Sequence, residues 1–557
     1  MDRRQRYREI AETLSRHGMG YLVGVLGLER HVPFHQGLLG HEPRDTPYTR
    51  PEHVRLALEE LGATFIKLGQ ILSTRADLLP PEYRIELAKL QDSAPPVPAE
   101  AILDAIAQEL GHSVEEAFAT FDANPLAAAS IGQAHAATLS DGTEVVVKVR
   151  RPGVVEQVAT DLEILRDLAR RASRRWEVAD DYDLAGLADE FAQTLRAELD
   201  YLSEARNAER FRDNFAGDDD VHIPRVFWDA TTTRVLTLDR IRGVKVDDTE
   251  ELDRAGVDRH ALAELATRVT ARMIFEDRFF HADPHPGNFF VEPGGRLGVI
   301  DFGMVGELDE QLREQLGELL VALTRKDSVR LAAVVRAMSL SRRTVDRAGL
   351  QADLAALVAA YQGRTIGEVA LAPLIEEVLG IVRRHHLRLP REIALLLKML
   401  VMEEGLAVRL DPDFELGAVL APYARQLVAG QLSPRAVMQR LGRAGIDVAQ
   451  LGTELPERLR ELLAVLDEGG LELHLRAAEL EPLVARAERL GNRVIAGILA
   501  GAVIDSLAEL ITADDVRLGR RRRRAVAVGA GAAGALSGYL AWTSRCAGKP
   551  ALRVRKR

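Results

Sequence analysis

From Glu52 to Gly111 apolar residues recur every three or four positions, the spacing of one helix face. HVRLALEELGATFIKLGQILSTRADLL carries it to a break at Pro80-Pro81, EYRIELAKL resumes it, and AEAILDAIAQEL follows the break SAPPVP. A shorter helix is predicted over Gln5 to Arg16, ahead of a Gly/Pro/His-rich connector reaching about Pro51. Then the texture changes. FDANPLAAAS, IGQAHAATL and EVVVKVRRP are short runs of strand character, the last two joined by Ser140-Asp141-Gly142-Thr143. Asp-Gly between two such runs is a strong hairpin signal, because the turn needs residues that tolerate positive φ.

A helix-rich stretch follows from Val155 to Phe215, and HIPRVFWDATTTRVLTLDRI reads as two more strands. After Gly243 come a helix (Arg259 to Phe275), a polar loop (His281 to Asn288) and the strands NFFVEP and RLGVID on either side of Gly294-Gly295. From Asp309 to about Leu510 the pattern is amphipathic helix. Strands first and helices afterwards, with polar clusters at strand ends, predict an α+β, two-lobed protein-kinase-like fold with an N-terminal helical extension and a helical C-terminal region. The predicted divisions are a helix and connector (1–50), the extension (51–115), an N-lobe (116–245), a C-lobe (246–425), a C-terminal helical region (426–515) and a tail (516–557).

Composition narrows this reading. Of 557 residues, 47% are apolar and 28% charged, the balance of a globular chain of several domains. Cys546 is the only cysteine, which excludes an internal disulfide and a cysteine-based metal site. The opening MDRRQRYREIAETL has no apolar core of a secretory signal, so a cytoplasmic body is expected. The formal charge is −11, yet the residues after Asp515 hold twelve Lys and Arg and no acid, which leaves −23 on the remainder. An acidic body with a basic tail fits contact with an anionic membrane through the tail, and argues against nucleic acid as a partner.

Within that tail, AVAVGAGAAGALSGYLAWT (525–543) is uncharged and close to the ~20 residues needed to span a bilayer. Its Gly534 and Gly538 allow close helix packing, and Tyr539 and Trp542 sit where interfacial aromatics belong. The earlier run RVIAGILAGAVIDSLAELI carries Asp505 and Glu509, which makes spanning costly. One marginal transmembrane or membrane-surface helix is therefore expected, anchoring the body at the inner (cell) membrane.

Phosphoryl transfer needs cations on the phosphates, carboxylates for magnesium, and a group that orients the acceptor. Each has a candidate, in order along the chain. Lys148 lies within the apolar strand run Val145 to Val149, where an ammonium is costly unless paired. Glu198 and Glu204, on the next helical stretch, are the carboxylates available to it. The loop His281-Ala282-Asp283-Pro284-His285-Pro286-Gly287-Asn288 spaces an Asp and an Asn five apart, directly before a strand. Asp283 there would orient the acceptor's proton, and the Asn288 carbonyl would turn back onto a metal ion. Asp301-Phe302-Gly303 follows after another strand, with Asp301 as the main magnesium ligand. His281 and His285 lack a matched ligand set for zinc, and His281 reads as a loop-ordering residue. No glycine-rich phosphate loop is present; its place holds Pro125 to Gln133, with Ala127, Ala128 and Ala129 adding a Cβ where backbone N–H groups usually meet phosphate.

These residues resemble the UbiB (AarF-like) atypical kinase family, associated with isoprenoid-quinone biosynthesis. Four motifs carry the resemblance: Lys67-Leu68-Gly69-Gln70, Ala127-Ala128-Ala129-Ser130, Glu198-Leu199-Asp200, and the loop from His281 to Asn288. It covers about residues 50 to 425. The resemblance implies that Lys148 contacts the α/β-phosphates of ATP and pairs with Glu204, and that Lys67, Gly69 and Gln70 lie on an extension folded over the site. Glu198, together with Asp200, would tie that extension down through Lys67, and Asp239 would fall at the interlobe hinge beside the adenine. In such proteins ATPase activity stimulated by lipid is the output better supported than protein phosphorylation; the lack of an Ala-Pro-Glu element after Gly303 agrees.

The expectation is thus a magnesium-dependent ATPase or atypical kinase acting at an anionic or isoprenoid-lipid membrane, with quinone-biosynthesis enzymes as partners and a homodimer as a compatible state. Two alternatives stand beside it: a small-molecule phosphotransferase of the aminoglycoside/choline kinase type, and a weakly active nucleotide-binding scaffold.

Overall fold

The computed structural model describes residues 3–19, 49–75, 77–90, 96–175, 183–340, 345–361 and 370–431. The basic tail, the apolar run 525–543, the run carrying Asp505 and Glu509, and all of the predicted region 426–515 beyond residue 431 lie outside the described residues. Among those that are described, no helix is long and apolar enough to cross a membrane.

The N-terminal helix is α1 (Arg3–Arg16), and the extension is built from α2 (Arg50–Leu61), α3 (Ala63–Thr74), α4 (Pro81–Leu87), α5 (Ala99–Leu110) and the single turn α6 (Val114–Ala117). Helix α2 starts where local chemistry satisfies its free N–H groups: Thr49 and Glu52 form a reciprocal capping box and Pro51 fits the first turn. Gly62, at φ +88°, turns the chain between α2 and α3 in a conformation disfavoured for side chains with a Cβ. Arg6 docks α1 through a buried, bidentate pair with Asp161 and a hydrogen bond to the Leu61 carbonyl.

The N-lobe sheet contains β1 (Thr120–Ala128), β2 (Gly132–Thr138), β3 (Glu144–Arg150) and β5 (Val235–Asp239) in the order β1-β2-β3-β5, all antiparallel. The Asp141-Gly142 turn joins β2 to β3, with Gly142 at φ +87°. Alternation along β3 decides what Lys148 does. Val145, Val147 and Val149 are fully buried with Ile102 and Ile106 of α5 and with Phe118, so Lys148 must point to the opposite face. Three helices follow β3: α7 (Val154–Arg175), α8 (Leu184–Glu198) and α9 (Tyr201–Asn214).

Of the two strands expected in HIPRVFWDATTTRVLTLDRI, the second is β5, while the first, β4 (Val221–His222), is two residues long, reaches only the opening His222 and belongs to another sheet. Pro224 follows it and removes a ladder donor. The C-lobe continues through β6 (Val244–Lys245), α10 (Thr249–Arg254), α11 (Arg259–Phe275), β7 (Phe279–His281), β8 (Phe289–Val291), β9 (Leu297–Val299) and β10 (Val305–Glu307). Strands β4-β9-β8-β6 form one small sheet and β10-β7 a second. These hairpins place His281 opposite Val305 and carry the polar loop and Asp301 to the sheet ends. The helical part comprises α12 (Glu310–Thr324), α13 (Ser328–Met338), α14 (Arg347–Ala360), α15 (Leu371–Arg384), α16 (Arg391–Leu410) and α17 (Leu416–Gln431). Helix α16 serves two cores. Leu395, Leu396, Met399 and Leu406 join α9 and α11 in the C-lobe core, and Ile393 joins α12 to α15.

Candidate active site

The paired cation is the centre of the site. β3 lies between β2 and β5, so Lys148 is on an interior strand, and its ammonium bonds the Glu204 carboxylate of α9. Its Nζ also lies 3.8 Å from Asp301 Oδ2. Burial works to lower the Lys148 ammonium; Asp301 and Glu204 reverse that and hold it above its ordinary range. The same ammonium drives the Asp301 carboxyl down to about 2, against the opposing pull of burial. Lys148 and Asp301 therefore stay ionised at neutral pH. Glu204 also accepts the Phe302 N–H at 3.2 Å, which fixes the Asp301 segment to α9.

Asp301 adopts φ +65°, a left-handed conformation that costs a non-glycine residue about 1 kcal/mol or more. Three contacts hold it there. Gly303 N–H donates to Asp301 Oδ1 at 3.1 Å, and the Asp301 carbonyl accepts from His281 Nε2 at 2.5 Å. Phe302, fully buried, packs against Phe211 of α9 and His281. His281 Nδ1 accepts the Asp283 N–H at 3.3 Å. One ring nitrogen donates and the other accepts, which is the neutral imidazole, and burial pushes the His281 pKa down in the same direction. His281 thus ties the Asp283 loop to the Asp301 segment.

Asn288 Nδ2 donates to the Asp283 carbonyl at 3.1 Å, leaving the Asn288 carbonyl oxygen for a metal ion. One carboxylate (Asp301) and one amide oxygen (Asn288) suit Mg2+, which takes its other ligands from phosphate and water. Among the described residues no three His, Cys, Asp or Glu converge as a metal cluster. Asp283 is held by a residue that sequence reasoning missed: Lys398 of α16 donates to its Oδ1 at 2.7 Å. Burial works to raise the Asp283 carboxyl, and Lys398 more than offsets it. The signal was available, since Lys398 interrupts the leucine run LLLKML as Lys148 interrupts a valine run.

Lys148, Glu204, His281, Asp283, Asn288, Asp301 and Lys398 line one cavity of about 960 Å³, together with Lys67, Gln70, Ala127, Ala129 and Glu198. Ala128 and Ser130 do not line it, nor does Gly69. Lys67 of α3 reaches across to Glu198 at the end of α8, 3.5 Å away. Gln70 Nε2 donates to the Leu90 carbonyl at 3.1 Å. Gly69 has a packing reason: a Cβ there would come within 2.2 Å of Leu90 Cδ1 and 2.8 Å of Leu58 Cδ1. Gly132 is similarly constrained by the Tyr201 hydroxyl, 2.1 Å from where its Cβ would be.

Two expected roles are corrected. Asp200 does not join Lys67; it N-caps α9 through the Leu202 N–H at 3.1 Å and lies 3.7 Å from Arg206, because the first turn of α9 leaves N–H groups that need an acceptor. Asp239 does not line the cavity. Its carboxylate accepts the Arg225 N–H at 3.0 Å, and a backbone bond from its own N–H to the Arg225 carbonyl holds it to that neighbouring segment.

A paired strand lysine, an Asp/Asn loop and a second Asp beside that lysine, all around one cleft, define a protein-kinase-like phosphotransferase site. The ABC1 atypical kinase-like domain matches residues 89–335 and the UbiB helical domain matches residues 354–415. "Probable protein kinase UbiB" of Xanthomonas campestris pv. campestris (strain 8004) is 36% identical over 467 residues, 82% of this chain and 84% of that protein. "Uncharacterized protein sll1770" of Synechocystis sp. is 36% identical over 437 residues, 78% of this chain and 75% of that one. The solved complex of Rv3197 with erythromycin from Mycobacterium tuberculosis superposes with a TM-score of 0.42 at 26% identity, covering 68% of this chain and 95% of that one. The chain belongs to the UbiB family of atypical kinases.

Proposed function

We propose that the protein is a magnesium-dependent, ATP-binding atypical kinase or ATPase that works at a membrane in isoprenoid-lipid metabolism, ubiquinone or menaquinone biosynthesis being the pathway its family resemblance suggests. The observation that carries the reading is the convergence of Lys148–Glu204, Asp301–Asn288 and Asp283 on one cavity. Lys148 would neutralise the α/β-phosphates while Glu204 keeps it extended. Asp301 and Asn288 would hold Mg2+, which supplies charge neutralisation on the phosphate oxygens. Asp283 would orient an acceptor O–H and take its proton as the oxygen bonds the γ-phosphorus. The bond from that phosphorus to the β–γ bridging oxygen breaks, and ADP leaves.

The acceptor side of the cavity supports an apolar or small acceptor, or water, over a peptide. Its apolar lining comes from Ile71 and Ile85 of the extension and from Leu379, Leu397 and Val401 of the helical part, with the Arg84–Glu376 ion pair also on the cavity wall. The extension, whose Lys67, Gln70 and Ile71 line the same cavity as Asp283, would on this reading restrict the approach of a peptide to the loop. The membrane part of the reading rests on the basic, apolar tail seen in the sequence.

Magnesium-dependent ATP turnover by the full chain, with and without anionic liposomes, tests this against Asp301→Asn. Turnover that rises with lipid and falls at least ~100-fold in the variant is expected. If nucleotide binds but both proteins are equally inert under every condition, the catalytic claim fails and a nucleotide-binding scaffold replaces it.

A further inference from the structure

In a phosphoryl-transfer site the terminal phosphate lies between the metal ligands and the acceptor-orienting carboxylate, and charge there has to be met by cations. The loop itself provides none: His281 is buried and neutral, and His285, two residues after Asp283, accepts the Gly287 N–H at 3.1 Å through Nδ1. Nor does the alanine-rich turn present a full row of backbone donors. Ala129 N–H is spent on the Gly132 carbonyl at 2.8 Å, and the Ala129 carbonyl accepts from Arg151 Nε at 2.7 Å. Lys148 is committed on the other side of the cleft to Glu204 and Asp301.

Of the Lys and Arg side chains described along the cavity, Lys67 pairs with Glu198, Arg84 with Glu376 and Lys148 with Glu204, and Lys398 is the one that bonds Asp283. It arrives from α16, in the middle of the segment that matches the UbiB helical domain, and four-fifths of its side chain is buried. It lines the same cavity as Lys148, and its Nζ is 2.7 Å from Asp283 Oδ1. A lysine carries three donors, so bonding Asp283 leaves capacity for a phosphate oxygen.

We propose that Lys398 is the terminal-phosphate cation of this site, supplied by the helical domain, which bridges Asp283 to the γ-phosphate and thereby distinguishes tri- from diphosphate. The inference rests on the ATP-binding reading above. It gives the helical domain a direct part in nucleotide recognition: any motion of α16 that withdraws Lys398 lowers triphosphate affinity and releases Asp283 together.

Isothermal titration of the full chain with Mg-ADP and with Mg-β,γ-imido-ATP, a triphosphate that is not turned over, tests it in the wild type, Lys398→Met and Lys398→Arg. A lost charge-assisted hydrogen bond predicts that Lys398→Met weakens the triphosphate by roughly 10- to 100-fold. Mg-ADP should change by less than about threefold, and Lys398→Arg should recover most of the loss. Equal weakening of both nucleotides means a structural role and overturns the proposal, as does no weakening of either. Failure of the wild type to bind any nucleotide would instead overturn the ATP-binding reading, and this inference with it.

Discussion

Glu403, on the buried side of α16, makes stability depend on pH in a direction opposite to most carboxylates. It is 2% exposed, is hydrogen-bonded with Thr270 of α11, and has Oε1 buried without a partner. Burial raises its pKa from 4.5 to about 7, only partly opposed by the Thr270 bond. The folded state therefore binds a proton that the unfolded state has lost between those values, so stability falls as pH rises through that window. A gap of about 2.5 pH units at about 1.4 kcal/mol each gives a loss of roughly 3 kcal/mol, complete by about pH 8. Glu403→Gln keeps the shape and the Thr270 partner but removes the titration. Unfolding midpoints of wild type and variant should nearly coincide near pH 4.5 and separate steadily above it, with the variant higher by a few degrees at pH 8. Parallel pH profiles for the two proteins, or a variant that is less stable at pH 8, would refute the reasoning.

Gly69→Ala forces a methyl against Leu90 and Leu58, so α3 must shift; overpacking of this kind costs about 1–3 kcal/mol, and faster amide exchange in α3 and α4 is the measurement. Arg6→Met leaves Asp161, almost fully buried, without its counter-charge; a loss of about 3–5 kcal/mol and release of α1 to protease are expected, while Arg6→Met with Asp161→Leu should recover much of it. Lys148→Met strands Glu204 beside Asp301, so nucleotide binding should fall well beyond tenfold by titration, and the Glu204 carboxyl should take up a proton, seen by infrared difference spectroscopy.

Much of the fold was legible because its signals are local. The strand hairpin follows from alternation and Asp141-Gly142, and helix α11 occupies the span its pattern predicts, Arg259–Phe275. The first strand of HIPRVFWDATTTRVLTLDRI was less legible, since a two-residue strand has no period to read and its partner β9 is far along the chain. The chemistry was legible for a related reason. Asp283, Asn288 and Asp301 sit at fixed short spacings on one hairpin, so their order alone brings them together.

Tertiary structure decided what depends on distant partners. Whether Lys148 meets Glu198 or Glu204 depends on where two successive helices pack; the helix starting at Tyr201 packs on β5, the strand beside β3, so Glu204 takes the lysine and Glu198 is left to Lys67. Asp200 and Asp239 could not be placed by sequence because a short carboxylate serves a helix cap or a neighbouring backbone N–H as readily as a site. Lys398 lies 115 residues beyond Asp283, on a helix whose periodicity marks it as one polar position among leucines. Periodicity tells which face a residue occupies. Only packing of α16 across the cleft determines what that face meets, and here it meets the Asp283 carboxylate.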